Sequence, residues 1–398
     1  MKINAPNLFI EINNLEYIFV VSNNDENNDF NLLYKNSVSI QGISNNQIID
    51  FELVISVINK NIYLIEKKLK CTFKEITIIL DNFRYSVLNL AGYKKLNGSQ
   101  ILKENITYIL NSLKATVNDS EKEKTILHIF NSKYYLDKKE INNLPIGLFG
   151  DFYSHELSFC LINNNDYKNL YNIFNRCNLK IKKIFLKSFI EGVKLSNENQ
   201  KLETFFKINI NEKNSQVIYF ENNALKFIQN FEFGTNLVLS DISKITSLNK
   251  DIIINILKNT KISSESTEQE FIDKIFLEKN SSRKIKKKLI YDIASARIQE
   301  LSEILITKNI NLTNYNKKDM TYFLKINDKL NLDCFKDAYK LFFSEKNRFL
   351  VKFIENFDIK DIVGNASDLV HFGWKKEEIP IIQHKKSLIG RFFDILFN

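Results

Sequence analysis

The strongest constraint on the fold is a pattern of short apolar segments that occurs twice. Residues 8–40 contain the strand-like segments LFIEINNLEYIFVVS and FNLLYKNSVSI, and residues 205–233 contain FFKINI, QVIYF and ALKFIQNFEF. Helical periodicity and one more apolar strand follow each cluster: EITIILD (75–81) after the first, and TYFLKI (321–326) after the second. Strands that alternate with amphipathic helices bury their apolar faces against one another. The sequence therefore predicts an α/β fold built from two related halves.

Composition limits the class of protein. The chain has 398 residues, of which 44% are hydrophobic and 26% charged, so it is long enough for two globular domains. The net charge of +9 indicates an acidic partner, although the codon bias of an AT-rich genome explains the lysines equally well. The four cysteines show no CxxC spacing, and none lies near a histidine in metal-ligand spacing, which predicts reduced structural thiols and no metal site.

Motifs of nucleotide-binding and hydrolytic enzymes are absent from the sequence. It contains no GxxxxGK[ST], GxGxxG, HExxH or GxSxG, and none of its ten glycines is adjacent to another. A phosphate cradle usually needs consecutive N–H groups without interference from Cβ atoms. No pair of carboxylates has a spacing that singles out an acid and a base. The residues alone therefore do not predict an enzyme.

Targeting signals are also absent, apart from the last residues. The beginning, MKINAPNLFIEIN, lacks the apolar core of a signal peptide, and no apolar run approaches the ~20 residues of a membrane span. We therefore expect a protein that is made and kept in the cytoplasm.

The final segment, KKSLIGRFFDILFN, predicts a short amphipathic helix at 387–398. At 100° per residue its polar residues share one side of the helical wheel. Lys385 and Lys386 precede the helix, where anionic lipid headgroups would attract them. The alternative is a helix docked on the protein's own core, but Pro380 predicts a linker at 375–386. The apolar, membrane-binding half consists of Leu388, Ile389, Phe392, Phe393, Ile395, Leu396 and Phe397.

A series of local patterns resembles the bacterial cell-division protein FtsA, a member of the actin-like ATPase superfamily. Residues 126–162 resemble its inserted subdomain, with the marks Asp137, Asn143, Pro145 and Gly147, although Leu144 is an extra residue between Asn and Pro. Further along, Asp241-Ile242 matches the start of a family helix, and Arg297, Glu300 and Leu301 match a long helix at 281–305. SDLVHFGW (367–374) resembles a helix near the family's end, and the family closes on a short amphipathic helix, as this chain does. The order of the matches supports the resemblance.

The resemblance implies an actin-like fold with an inserted SHS2-type subdomain. It implies that the chain tethers FtsZ filaments to the cytoplasmic face of the inner membrane at the division site. It also implies self-association into filaments and recruitment of later division proteins through the inserted subdomain. The expected boundaries are 1–74 with 163–195 for the core of domain I, 75–162 for the insertion, 200–374 for domain II, 375–386 for the linker and 387–398 for the membrane helix.

The positions that would hold ATP and Mg²⁺ depart from the family pattern. Glycines are replaced by side chains in both phosphate turns and at the adenosine. Because side chains keep the backbone away from phosphate, we expect a lost or weak ATPase and no assured cofactor. Weak ATP binding through Glu11 and Lys213 is the alternative. The residues of this degenerate site are Glu11, Asn13, Asn14, Asn209, Asn211, Lys213 and Asn327.

A basic run at 283–288 opens the long helix, where the family receives the short tail of FtsZ. The resemblance implies that this tail contacts Arg283, Lys286, Arg297 and Glu300. A solvated charged face is the plainer interpretation. Nucleic acid is not expected, because no aromatic residues are interleaved with the lysines.

Two other functions remain open from the sequence. One is an actin-like scaffold of pilus assembly, which shares the inserted subdomain but generally lacks the terminal amphipathic helix. The other is an active ATPase of the sugar-kinase and actin class, against which the missing glycines count.

Overall fold

The computed structural model describes residues 6–24, 30–44, 47–81, 83–199, 202–277, 284–315, 320–327, 332–345 and 348–377. These residues fall into two compact units. The first lies within 1–203, 221–226 and 357–398, and the second within 204–220 and 227–356.

The first unit is built on a five-stranded sheet in the order β11-β6-β1-β2-β3. Strands β1, β2 and β3 form an antiparallel meander, whereas β6 pairs parallel with β1, and β11 pairs parallel with β6. Helix α1 begins at the N-cap Asp50, whose side chain accepts the N–H of Leu53 at 3.0 Å, and it buries an apolar stripe that includes Ile58 and Ile65. The elements are β1 (Asn7–Ile12), β2 (Glu16–Asn24), β3 (Phe30–Ser39), β4 (Ile43–Ser44), β5 (Gln47–Ile48), α1 (Phe51–Leu69), β6 (Glu75–Leu80), α3 (Asn164–Arg176), β11 (Lys180–Leu186) and α4 (Lys187–Glu198).

A separate four-stranded sheet, in the order β7-β10-β8-β9, is inserted in the first unit. Its elements are β7 (Tyr85–Lys95), α2 (Lys103–Ser120), β8 (Lys124–Leu136), β9 (Lys139–Ile141) and β10 (Phe152–Asn163). Apolar residues of α2 and of the sheet form a core of their own. The insertion was expected to begin at residue 75, but Glu75–Leu80 lies inside the first sheet, between β1 and β11. Residues 76–80 of this strand are all buried, as a strand covered on both faces at the centre of a sheet requires.

The second unit contains another five-stranded sheet, in the order β14-β13-β12-β15-β16. Helices α5, α6, α7 and α8 contribute to one large apolar core with this sheet. The elements are β12 (Phe205–Asn211), β13 (Ser215–Glu221), β14 (Ala224–Phe231), α5 (Asn236–Thr246), α6 (Lys250–Asn259), α7 (Lys287–Ser302), β15 (Thr321–Asn327), α8 (Lys336–Phe343) and β16 (Leu350–Phe353).

The two sheets repeat one strand order. In each, a central strand pairs antiparallel with the strand that follows it and parallel with a later strand, which in turn pairs parallel with the last one. Strand β1 therefore corresponds to β12, β2 to β13, β6 to β15, and β11 to β16. The prediction of an α/β fold with two related halves is confirmed at the level of sheet topology.

The last described helix, α9 (Ile359–Phe372), belongs to the first unit, although the sequence placed residues up to 374 in the second domain. Helix α9 packs against α4 and β3, which the linear order of the chain could not indicate. Among the described residues no helix is both long and apolar enough to cross a membrane.

Candidate functional site

The carboxyl ends of three parallel strands of the first unit lie side by side. Ile12 of β1 and Leu186 of β11 both pair in register with Leu80 of β6. Ligands of α/β proteins usually bind at such an edge, because the strands deliver the side chains that follow them to one place. The edge is therefore the first candidate for a functional site.

An ionic cluster occupies this edge. The ammonium group of Lys187, the first residue of α4, lies 2.8 Å from Oε1 of Glu11 and 2.9 Å from Oδ2 of Asp81. The N–H of Asp81 donates to the carbonyl of Ile12 at 3.0 Å, which fixes Asp81 beside β1. Glu11 is a predicted site residue, whereas Asp81 and Lys187 were missed. The one sequence feature that could have indicated Asp81 and Lys187 is that each directly follows an apolar strand.

The charges of the cluster depend on one another. Burial alone lowers the pKa of Lys187, but the carboxylates of Asp81, Glu11 and Glu191 outweigh it and raise that pKa above its usual value. Burial raises the pKa of Glu11, and Lys187 offsets only part of this effect. The Oε2 atom of Glu11 is buried and has no hydrogen-bond partner among the described residues. We conclude that Lys187 is a cation at neutral pH and stabilises the ionised form of Glu11.

The turn between β1 and β2 is closed by its own side chain. The Oδ1 atom of Asn13 accepts the backbone N–H groups of Leu15 at 2.8 Å and Glu16 at 2.9 Å, while its Nδ2 donates to Glu11 at 3.3 Å. Asn14 is exposed at the tip of the turn. This Asx-type arrangement uses the N–H groups that a phosphate-binding turn leaves open for its ligand.

The corresponding turn of the second unit joins β12 to β13 and is closed differently. The N–H groups of Thr235 and Asn236, at the start of α5, donate to the carbonyls of Asn211 and Glu212, both at 3.0 Å. A Cβ atom on Gly234 would lie 1.9 Å from the carbonyl oxygen of Asn211, so only glycine permits this approach. The chain itself thus caps the amino end of α5.

The other predicted ATP-site residues of the second unit surround this turn. Asn209 is half-buried, and its Oδ1 is buried without a hydrogen bond within the described structure. Nδ2 of Asn211 donates to Oδ1 of Asn214 at 2.6 Å, and Lys213 is exposed. Asn327, the last residue of β15, pairs in register with Asn211 on β12. The sheet therefore places the main-chain positions of Asn211 and Asn327 side by side.

The predicted partner-binding residues lie at and before α7. Arg297 is hydrogen-bonded to the carboxylates of Asp241 and Glu300, the latter one helical turn along α7. Lys286 forms an ion pair with Glu268 at 2.6 Å. Arg283 lies outside the described residues. The i,i+3 spacing predicts the pair of Arg297 and Glu300, but sequence could not reveal Asp241 and Glu268 as partners.

A buried ionic trio fixes the end of the described chain to the first unit. Oε1 of Glu377 lies 2.6 Å from Nδ1 of His128, and Oε2 lies 3.1 Å from Nζ of Lys183. Burial raises the pKa of Glu377, but Lys183 and His128 reverse this effect and lower it to about 2. The N–H of Asn131 donates to the carbonyl of Lys376 at 2.7 Å. Residues 375–377, predicted as linker, are therefore packed on the body, and the predicted membrane-binding residues lie outside the described ranges.

Comparison with known proteins identifies a relative of nearly the whole chain. No family model matches. The cell division protein FtsA of Buchnera aphidicola subsp. Acyrthosiphon pisum (strain APS) is 21% identical over 378 residues, which cover 90% of this chain and 87% of the relative. This chain is a divergent relative of FtsA. FtsA of Escherichia coli (strain K12) is 20% identical over 214 residues, 54% of this chain and 50% of that protein.

A solved structure supports the assignment of the fold. The PilM–PilN type IV pilus biogenesis complex contains a chain that aligns over 92% of this one and 95% of its own length, with a TM-score of 0.51 and 8% identity. At this identity the likeness concerns the fold alone. Together with the repeated strand order and the similarity to FtsA, it establishes an actin-like fold.

An actin-like fold implies Mg²⁺ and a nucleotide, but the residues of this FtsA relative do not fit them. Lys187 already bridges the two carboxylates at the first strand ends, and Asn13 already accepts the N–H groups of the first turn. In the second unit, the N–H groups at the start of α5 bind carbonyls of the adjacent turn. A phosphate group would have to displace these contacts before it could bind. We therefore derive no catalytic step from this site.

Proposed function

We propose that this chain is a cell-division scaffold that tethers FtsZ filaments to the cytoplasmic face of the inner membrane. The observation that carries the proposal is the similarity to FtsA, which spans 90% of the chain. A similarity of this extent supports a role in cell division. The FtsZ contact, the membrane contact, self-association into filaments and recruitment of later division proteins are the finer parts of the proposal.

The membrane contact would use residues 385–398. The residues at the start of the predicted linker are fixed to the first unit, because Nε1 of Trp374 donates to the carbonyl of Asn223 at 2.8 Å and Glu377 is held by its buried ionic partners. Residues 378–386 can span at most roughly 30 Å when fully extended. A membrane-bound terminal segment would therefore keep the first unit close to the lipid surface.

The affinity of one terminal segment for lipid would be modest. A short amphipathic helix with two flanking lysines binds reversibly, because the burial of its apolar face is offset by the cost of ordering the helix. Filaments would present many such segments at once, and the effective concentration of the later contacts would make attachment firm.

The FtsZ contact would use the surface near α7. In the family that this chain resembles, the partner is the short tail of FtsZ, which carries acidic and apolar residues. Lys284 is exposed and lies over the ring of Phe271, with 5.8 Å between the ammonium and the ring centre. The Glu300 side chain is 51% exposed, so an acidic peptide could replace it on Arg297 while Asp241 stays in place.

Flotation on liposomes tests the membrane contact. We expect the full chain to float with vesicles of phosphatidylglycerol and phosphatidylethanolamine, and a chain truncated after His384 to stay in solution. Phe393→Asp should abolish flotation, whereas Ser387→Asp adds the same charge on the polar side and should reduce it only slightly. Flotation of the truncated chain would contradict the proposal.

A labelled tail peptide of the FtsZ from the same organism tests the second contact. It should float only together with the full-length chain, and Lys284→Glu should weaken its binding. Lys244→Glu, on α5, is the matched control of equal charge change. A peptide that binds all variants equally well would exclude the α7 surface.

Pilus assembly is the rival function, but the solved pilus structure supports it through the fold alone. The same flotation experiment separates the two functions. A chain that stays soluble and ignores the FtsZ peptide would favour a cytosolic scaffold of the pilus type.

A further inference from the structure

The first candidate site contains the features of a ligand site, but side chains of the protein occupy it. Two carboxylates, Glu11 and Asp81, converge at the carboxyl ends of adjacent parallel strands, and two backbone N–H groups of the neighbouring turn point to one acceptor. Elsewhere in α/β proteins, such carboxylates bind a divalent cation and such N–H groups bind a phosphate oxygen.

We propose that this chain has replaced the cation and the phosphate of an actin-like site with Lys187 and Asn13. The ammonium group of Lys187 bridges the two carboxylates, and the amide oxygen of Asn13 accepts the N–H groups of the turn. The first unit then holds this edge of its sheet in one arrangement whether or not nucleotide is present. The inference does not depend on binding to FtsZ or to membrane.

The position of Lys187 indicates that the two carboxylates hold its ammonium group in place of a bound cation. It is the first residue of α4, and the amino end of a helix carries a partial positive charge that disfavours lysine. Two carboxylates within 2.9 Å overcome this disadvantage.

The second carboxylate oxygen of Glu11 indicates a site whose negative charge exceeds what one lysine balances. Glu11 is 2% exposed, and its Oε2 is buried without a hydrogen-bond partner in the part of the chain that the structure describes. Lys187 supplies one positive charge to two carboxylates, whereas a divalent cation would balance both. Mg²⁺ commonly binds proteins through one or two carboxylates and keeps several waters, so the two acids suffice for a weak site.

Lys194 provides a matched control on the same helix. It also bridges two carboxylates, at 2.7 Å from Glu198 and 3.3 Å from Asp361, but these side chains are 51% and 47% exposed. Removing Lys194 therefore breaks a similar ion pair at a place that has no buried strand-end acids.

The test compares the thermal unfolding of the full chain with that of Lys187→Gln and Lys194→Gln, in EDTA and in 10 mM MgCl₂. Fluorescence of the chain's one tryptophan, Trp374, follows the first unit. In EDTA we expect Lys187→Gln to lower the Tm by about 6–12 °C, because it leaves buried carboxylates without their cation. Mg²⁺ should restore at least half of this loss. The Tm of the natural chain and that of Lys194→Gln should differ by less than 2 °C between EDTA and MgCl₂. The restoration should disappear in Asp81→Asn/Lys187→Gln.

Three results would overturn the proposal. A Lys187→Gln protein that does not respond to Mg²⁺ would mean that Lys187 is only a structural ion-pair partner. A natural chain stabilised by several degrees by 5 mM Mg-ATP would mean that the site remains open to nucleotide. If Lys187→Gln does not fold in EDTA, refolding yield is measured with and without Mg²⁺, and Lys187→Met is tested likewise. If neither variant refolds in higher yield with Mg²⁺ than without it, the proposal is also overturned.

Discussion

The β1–β2 turn and the β12–β13 turn occupy the same place in two sheets of the same strand order, yet they are stabilised by different chemistry. The first depends on an acceptor side chain and on ionised groups, with Asn13 and Lys187 at its centre. The second depends on backbone contacts, which Gly234 makes possible by its lack of a side chain. One topology therefore tolerates two solutions for the same structural requirement.

The difference extends beyond the turns. In the first unit, Glu377 and its two partners His128 and Lys183 are buried together. In the second unit, the ion pairs at α7 involve exposed glutamates such as Glu268 and Glu300. We therefore expect the stability of the first unit to depend strongly on its buried trio, and the ion pairs at α7 to contribute little to that of the second unit.

The largest expected effect comes from breaking the buried trio. Glu377→Gln keeps the size of the side chain but leaves Lys183 as a buried cation without a counter-charge, which should cost about 3–5 kcal/mol of unfolding free energy. Urea unfolding followed by Trp374 fluorescence measures the loss. Glu203→Gln is the control, because its pair with Lys375 is half exposed and should contribute less than about 0.5 kcal/mol. Similar losses in both variants would contradict a special role for buried charge.

The next effect tests packing in the second unit. Gly234→Ala would bring a methyl group within 1.9 Å of the Asn211 carbonyl, so the turn and α5 must separate, at a cost of about 3 kcal/mol. Hydrogen exchange of peptides from β12 and α5 should rise, while Trp374 fluorescence should report a smaller change in the first unit. Gly364→Ala, in α9, meets only the Phe30 ring at 3.7 Å and should stabilise by about 0.5–1 kcal/mol. Unchanged exchange in α5 would show that the close approach is not required.

Acid should distinguish the units through His155 in the inserted sheet. Burial lowers the pKa of His155 to about 3, and within the described structure neither ring nitrogen has a hydrogen-bond partner. The unfolded chain binds a proton at this histidine below pH 6.5 and the folded chain does not, so stability falls as the pH drops from 6.5 towards 3. The slope is at most about 1.4 kcal/mol per pH unit.

The measurement for this prediction is the urea midpoint of Trp374 fluorescence between pH 7 and 4.5. It should decrease with acidity in the natural chain and stay flatter in His155→Phe. The lowered pKa of Glu377, about 2, adds a further loss below pH 4.5. A pH profile that is the same in His155→Phe would assign the acid sensitivity to other groups.

Much of the fold could be predicted because apolar periodicity is a local property. The strand pairs around Asn13-Asn14 and the helix near 51–69 follow directly from the spacing of apolar residues. The place of Glu75–Leu80 in the first sheet and of α9 in the first unit depends on contacts between distant parts of the chain, which spacing does not encode. Boundaries were accordingly the weakest part of the prediction.

The candidate site was predictable only in part, for a related reason. Glu11 and Asn13 were found because they lie in a turn that the family resemblance marks. Lys187 and Asp81 join Glu11 only through the parallel pairing of three strands that lie far apart in sequence. A single positive residue at the start of a helix gives no local sign that two carboxylates converge on it.

The smallest effect compares the two turns directly. Asn13→Ala leaves the N–H groups of Leu15 and Glu16 without their acceptor and should cost about 1 kcal/mol in the first unit. Asn214→Ala removes one exposed acceptor in the second turn, where Thr235 and Asn236 still bind the backbone, so it should cost about half as much or less. Asn13→Ser should recover part of the loss, because a hydroxyl oxygen can accept the same N–H groups. Hydrogen exchange of the two turn peptides measures both effects. If Asn214→Ala proved the more damaging, the second turn would depend on side-chain amides as much as the first, and the contrast between the units would be confined to their buried charges.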